Sequence, residues 1–468
     1  MDTTDLCFTP ATELAGMIRQ KEISPVELAD AVLNRIARLE PKLNAFATLT
    51  YDAAMAAARE AETALTRGDM LGPLHGVPVT IKDLVETAGV PTERGSCALK
   101  GTLPTIDAPV VTRLRDAGAI SLGKTTTSEF GWKGVSHSPL TGITHNPWQL
   151  GYNAGASSAG AGVAAAAGYG PLHVGSDGAG SIRMPSHFCG IFGLKPTYGR
   201  VPNWPVPNND QTSHVGPMTR TVADTALMLK VMAGPHAWDH TSLEAQPEDY
   251  PNLLDRDLSG LKIAYSPTLG HARVDPEVAA LVEDAVKAFE AFGCTIEQPA
   301  TPFGPDGPEL IRFLWSAHEQ AFASHLTDWE DQMDPGLVAC IRHGMGHSME
   351  DYLDMRARKI AYVEQIHRFF EEWDLLLTPA VSVAAFPADQ LQPAGWPHHV
   401  WDWVMWAEFS YPFNFSGNPA ASVPCGFTES GLPVGLQIVG RRFDDLGVLQ
   451  AAAAFERDRP WVEKRPPL

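Results

Sequence analysis

Basic residues are scarce in this chain: 35 Lys and Arg stand against 55 Asp and Glu, a formal net charge of −20. No stripe of Lys and Arg with interleaved aromatics offsets that balance. A phosphate backbone is repelled, and nucleic acid is not an expected partner. Cysteine is scarce too. Cys7, Cys97, Cys189, Cys294, Cys340 and Cys425 are scattered with no C-x-x-C spacing. They read as reduced, mostly buried thiols of a cytoplasmic protein. Long apolar runs are missing altogether. The longest charge-poor stretch, 154–175, is mostly Ala, Gly and Ser and includes His173, too weakly apolar to span a bilayer. The first residues, Met1-Asp2-Thr3-Thr4-Asp5, have no basic segment followed by an apolar one, so no signal peptide and no membrane partner are expected.

What remains is an ordinary globular composition, 44% hydrophobic and 19% charged over 468 residues. Ser24-Pro25-Val26-Glu27 combines an N-cap serine, a proline at the first helical position and a glutamate at the third. Leu28, Val32, Ile36 and Leu39 continue it with helical period. Further helices are expected over 52–66, 109–118, 221–233, 276–292, 309–328, 350–373 and 445–457. In 77–82, Val77, Val79 and Ile81 alternate with polar or small residues, the pattern of a strand with Thr80 and Lys82 on its other face. Strands are also expected at 119–122, 261–265, 375–379, 421–427 and 434–440.

Three patterns suggest chemistry that their context denies. Gly118-Ala119-Ile120-Ser121-Leu122-Gly123-Lys124-Thr125 matches a phosphate loop by letter. A helix precedes its first glycine, however, and a strand occupies its middle, where that motif needs a strand and then a loop. His343 and His347 have helical spacing but no glutamate between them, so zinc hydrolysis of the H-E-x-x-H type is not expected. Gly178-Ala179-Gly180 begins like a dinucleotide fingerprint, but Arg183 stands where the third small residue belongs. No metal and no cofactor are expected.

The stretch 151–202 is the most unusual in the chain. It is rich in Gly, Ala and Ser, with Val163, Leu172, Val174, Ile182, Met184 and Phe188 interleaved, which argues against a flexible linker. Ser157 lies in Gly155-Ala156-Ser157-Ser158-Ala159-Gly160, and Ser181 follows Gly178-Ala179-Gly180. Small residues leave backbone N–H groups open beside a hydroxyl, as an oxyanion hole beside a nucleophile requires. A lysine can serve such a serine as base only if burial lowers its pKa. A three-unit shift needs roughly 4 kcal/mol of selective destabilisation of the charged form. Lys82, closing an apolar strand, meets that condition if it is buried; otherwise it is a solvated strand end.

These segments resemble the amidase signature hydrolases. The family's Gly-Gly-Ser-Ser-Gly-Gly segment is similar to 155–160. Its G-S/T-D-x-G-G-S-I-R-x-P core is similar to 175–185, and its C-G-x-x-G-L-K-P-T-x-G-R run to 189–200. G-x-P-x-x-x-K-D falls on 76–83 and G-K-T-x-x-x-E-F on 123–130, while the C-terminal motifs fall on 412–440. The resemblance covers nearly the whole chain except 235–407. It implies a Ser–cis-Ser–Lys triad with Ser181 as nucleophile, Ser157 as the bridging serine after a cis peptide bond and Lys82 as base. It also implies an oxyanion hole from the amides of Gly178, Ala179 and Gly180, continuing to Ser181.

The implied architecture is one large α/β domain over 1–468, a mixed twisted sheet between helical layers. Within it, 71–225 would form the signature core, 236–410 a more variable helix-rich region on the substrate side, and 411–468 strands and a helix returning to the core. The implied activity is hydrolysis of an amide bond through an acyl-enzyme, with carbamates (urethanes) or esters also in range. Aromatic density over 395–415, with Gly131, Trp132 and Trp403 as expected substrate contacts, suggests an apolar or aryl small-molecule substrate, although such density also suits core packing. A homodimer is an open option. The same resemblance fits the glutamine-hydrolysing component of a tRNA-dependent amidotransferase, or a binding protein that keeps the fold without catalysis. Ala156, Ala159 and Ala179 replace family glycines, and a methyl at Ala179 would strain the backbone if φ there were positive. Ser213 stands where the family often has an aspartate.

Overall fold

The computed structural model describes residues 2–245, 249–304 and 306–468. Residues 246–248, within the expected loop 235–258, lie outside that description. The helix opened by Ser24 spans Pro25–Leu43 with the expected capping box. Ser24 Oγ accepts from the amides of Val26 and Glu27, and the Glu27 carboxylate accepts from the Ser24 amide.

The strands in chain order are β1 (Phe46–Leu49), β2 (Pro78–Lys82), β3 (Ile120–Thr125), β4 (His137–Ser138), β5 (Gly142–Ile143), β6 (Leu172–Asp177) and β7 (Phe192–Lys195). They continue with β8 (His214–Thr219), β9 (Lys262–Tyr265), β10 (Thr295–Glu297), β11 (Leu375–Pro379), β12 (Ala420–Phe427) and β13 (Pro433–Gly440). Eleven form one sheet in the order β1-β3-β2-β6-β8-β7-β12-β13-β11-β9-β10, and β4 and β5 form a separate hairpin. The sheet is mixed. β2 runs parallel to β3 and β6, and β9 parallel to β10 and β11, while β12 and β13 are antiparallel to each other and to β7 and β11. The fold is therefore a single large α/β domain with a mixed sheet, as expected.

Alternation along the central strands divides the core in two. Leu375 and Leu377 of β11 face a large aliphatic cluster with Ala421 and Ile438, while Leu376 faces an aromatic-rich cluster with Ala420 and Val439. The Ala420↔Val439 and Ala421↔Ile438 register keeps each pair on one face. The helix Ala159–Ala167 is buried at every position. Its small residues permit that: a Cβ on Gly160 would stand 2.3 Å from the Ala45 carbonyl oxygen.

Several expected elements change length. β3 continues through Lys124 and Thr125, so the phosphate-loop look-alike is largely strand, preceded by Gly118 with φ +88°. The helix expected over 309–328 is broken: Asp306–Glu319 is α-helical, and 3-10 turns follow over Gln320–His325. Four cysteines (Cys7, Cys189, Cys294 and Cys340) are buried, and none is paired. Among the described residues no helix is long and apolar enough to cross a membrane, and no cluster of His, Cys, Asp and Glu is placed to hold a metal ion. His347 Nε2 instead hydrogen-bonds Ser316 Oγ at 2.9 Å.

Candidate active site

β2 and β6 lie side by side and parallel, with Ile81 opposite Val174, so both deliver their C-terminal residues to one end of the sheet. Open α/β sheets bind ligands at that end. All five residues of β2 are buried, and Lys82 is 0% exposed. Its Nζ lies 2.7 Å from Ser157 Oγ, 2.8 Å from Ser158 Oγ, 2.9 Å from Ser176 Oγ and 3.3 Å from the Ser176 carbonyl oxygen. Burial pushes the Lys82 amine well below the ordinary lysine value, against the opposing pull of Asp177. The solvated-end alternative for Lys82 is thereby removed.

The Ser158 hydroxyl donates to the Ser176 carbonyl at 3.0 Å, so its oxygen accepts from Lys82. Lys82 Nζ also donates to Ser157 Oγ and Ser176 Oγ, so three serine hydroxyls meet at one nitrogen. Ser157 follows a cis Ala156–Ser157 peptide bond.

Ser181 follows β6 on the turn Gly178-Ala179-Gly180. Asp177 braces that turn, accepting from the Gly180 amide at 2.7 Å, the Ile182 amide at 3.1 Å, Arg183 Nε at 3.0 Å and Nη2 at 2.8 Å, and Asn414 Nδ2 at 2.8 Å. Burial alone would raise the Asp177 pKa, but the Arg183 charge and hydrogen bonds outweigh it and hold the carboxyl well below the usual range. Gly180 has φ +122°, and a Cβ there would stand 2.6 Å from Ser410 Oγ, so glycine is required on both counts.

The oxyanion-hole expectation needs one correction. The Gly180 N–H is committed to Asp177 because the carboxylate lies directly beneath the turn. Among the described residues, the amides of Gly178, Ala179 and Ser181 have no acceptor within the chain. Ala156, Ala159 and Ala179 all avoid positive φ, so the replacement methyls bring no backbone strain there. The buried Ala179 methyl packs in the aromatic-rich cluster.

Ser157 and Ser181 line one cleft of ≈350 Å³. Gly131 lines it too, and a Cβ there would stand 3.0 Å from Ser157 Oγ. Trp132 and Trp403 do not reach it. Both are 1% exposed and belong to the aromatic-rich core cluster. The Trp132 carbonyl accepts from Trp403 Nε1 at 2.7 Å and from Trp315 Nε1 at 3.0 Å, so these residues brace Trp315, which does line the cleft. The expectation that Trp132 and Trp403 touch substrate is therefore wrong: these two indoles fill the core behind the wall. The wall consists of Phe130, Phe322, Trp315, Leu84 and the segment 203–209, with Phe130 and Phe322 stacked at 4.2 Å. Ser213 lies beside Gly178 and accepts from Asn209 Nδ2 at 2.7 Å, tying that segment to the turn before Ser181.

Sequence reasoning missed Ser158 and Ser176 as partners of Lys82. The density of serines beside glycine in the two motifs was the available signal. Phe322 and the segment 203–209 carry no comparable signal.

A buried amine against a serine, with a second serine on the same cleft beside open amides, defines a candidate serine hydrolase without histidine. The Amidase family profile matches residues 27–449. An acylamidase of Rhodococcus erythropolis is 40% identical over 100% of this chain and 98% of its own length. A glutamyl-tRNA(Gln) amidotransferase subunit of Moorella thermoacetica is 35% identical, over 99% of each chain. A crystal structure of a bacterial aryl acylamidase of the amidase signature family superposes with TM-score 0.90 at 28% identity, covering 97% of each chain. The chain belongs to the amidase signature family and is a hydrolase of amide C–N bonds.

Proposed function

We propose that the chain hydrolyses small apolar amides, aryl amides among them, through an acyl-enzyme on Ser181. The observation that carries this reading is the Lys82 amine, wholly buried and 2.7 Å from Ser157 Oγ, at the floor of the cleft that Ser181 lines. Uncharged Lys82 takes the proton of the Ser157 hydroxyl as Ser157 takes that of Ser181. Ser181 Oγ then bonds to the carbonyl carbon, and the oxyanion meets the amides of Gly178, Ala179 and Ser181. On collapse Ser157 protonates the departing amine, and Lys82 returns the proton to Ser157. Water enters by the same relay in reverse and frees the acid and Ser181.

The aromatic wall of Phe130, Trp315 and Phe322 supports an apolar substrate. A glutaminase role would need a free cation for the carboxylate of glutamine. Arg94, the arginine on the cleft among the described residues, is held by Glu86 at 2.5 Å. A panel of anilides, carbamates and primary amides tests the reading. Wild type is expected to turn over anilides best and Ser181→Ala none of the panel. Equal turnover of short polar amides would remove the apolar preference, and activity in Ser181→Ala would remove the mechanism.

A further inference from the structure

The cleft holds one acidic group for which the proposed chemistry has no use. Glu319, the last residue of the helix Asp306–Glu319, lines the cleft and is 7% exposed. Among the described residues its buried Oε2 has no hydrogen-bond partner. Burial pushes its carboxyl up to about 8, with no neighbouring charge to offset it. The other ionisable side chains on the lining are occupied, Arg94 by Glu86 and His318 by Asp210 at 3.2 Å. A buried acceptor left open costs stability unless something outside the chain meets it.

The surroundings indicate what that something is. Trp315 and Phe322 line the same cleft on either side of Glu319 in sequence. Aromatic faces attract cations and apolar groups alike, and a protein of net charge −20 favours approach of a cation.

We propose that Glu319 selects amide substrates carrying a protonated amine on an apolar arm, the ammonium pairing with its carboxylate while the arm lies against Trp315 and Phe322. Binding the cation sends the Glu319 proton to solvent. The inference rests on the amidase reading of this cleft.

The test uses two matched pairs of anilides. In one, the acyl chain ends in an amine or in a methyl group; in the other, the same change is made on the aniline ring. Wild type is expected to show a KM lower by about 10- to 100-fold for the amine member of at least one pair, the range for a hydrogen bond to a charged group. Glu319→Gln is expected to remove that preference, with kcat and KM for the methyl members unchanged and the melting temperature preserved. Glu319→Asp, which keeps the charge on a shorter stem, is expected to retain part of it. No amine preference in wild type, or a Glu319→Gln effect equal on both members, overturns the proposal. If Glu319→Gln fails to fold, an unaltered preference in Glu319→Asp does so. Failure of wild type to cleave either member of either pair would overturn the amidase reading itself, and the proposal with it.

Discussion

The floor and the wall of the cleft are built on different terms. The floor joins the ends of β2 and β6 to Ser157, and within it Lys82 and Ser158 are buried and hydrogen-bonded, as are Asp177 and Arg183. The wall is looser: Trp204, Val206, Asn209, Trp315 and Phe322 are half-buried, and Pro205 and Asn208 are exposed. The proposed proton relay works only at fixed distances, and burial and satisfied hydrogen bonds hold its groups there. Substrate choice needs only surface of the right shape and polarity. Side chains of the wall can change without moving Lys82.

That contrast can be broken or sharpened by substitution. Lys82→Ala removes the proposed base from the floor and is expected to lower kcat by about 10²- to 10⁴-fold, the range for a general base, with KM little changed. Steady-state kinetics on one anilide decides it, and a loss confined to KM would put Lys82 in binding instead. Asp177→Asn breaks the buried pair with Arg183 and is expected to cost about 3–5 kcal/mol of stability, read by urea unfolding. Trp132→Ala, behind the wall, is expected to destabilise by a similar 3–5 kcal/mol through a cavity. Phe322→Ala, on the wall, is expected instead to raise KM for aryl amides by about 10- to 100-fold with unaltered melting, from the apolar surface lost to the ligand. If Trp132→Ala changed only KM, the division between core and wall would be misplaced.

The smallest effect concerns pH. Burial pushes His173, beneath the floor, and His187 down from 6.5 to about 4. Below pH 6.5 the unfolded chain takes up protons that the folded chain refuses. Their contribution is therefore complete above that value and falls away towards pH 4, by at most about 3 kcal/mol for each histidine. Buried carboxyls such as Glu40 and Glu319, pushed up to about 7 and about 8, act in the opposite sense, so the measurement is the difference between wild type and a His173→Asn/His187→Asn variant, and a difference that stays level from pH 7 to 4 would contradict it.

The floor was legible in the sequence and the wall was not. Ser157 and Ser181 stood out because glycines flank them without a linker's composition, whereas Lys82 suited a solvated strand end as well, and the amidase signature resemblance is what implied it as base. Ser158 and Ser176 sat in the same motifs, but only the folded geometry brings them to one nitrogen. The wall draws on residues more than a hundred positions apart, several of them, such as 203–209, from irregular segments. Trp132 and Trp403 misled because a tryptophan suits a buried core as well as a ligand face, and sequence does not say which side of a wall it stands on. The broken helix at Glu319 was equally hidden, since its apolar period runs on through the break.

The account turns on which oxygen carries the acyl group. An aryl carbamate that transfers its carbamoyl group and then hydrolyses slowly leaves an adduct that peptide mapping by mass spectrometry can place. The expected adduct is on Ser181, absent in Ser181→Ala and formed far more slowly in Lys82→Ala. An adduct on Ser157 or any other residue, or one that forms at the wild-type rate without Lys82, would contradict the relay.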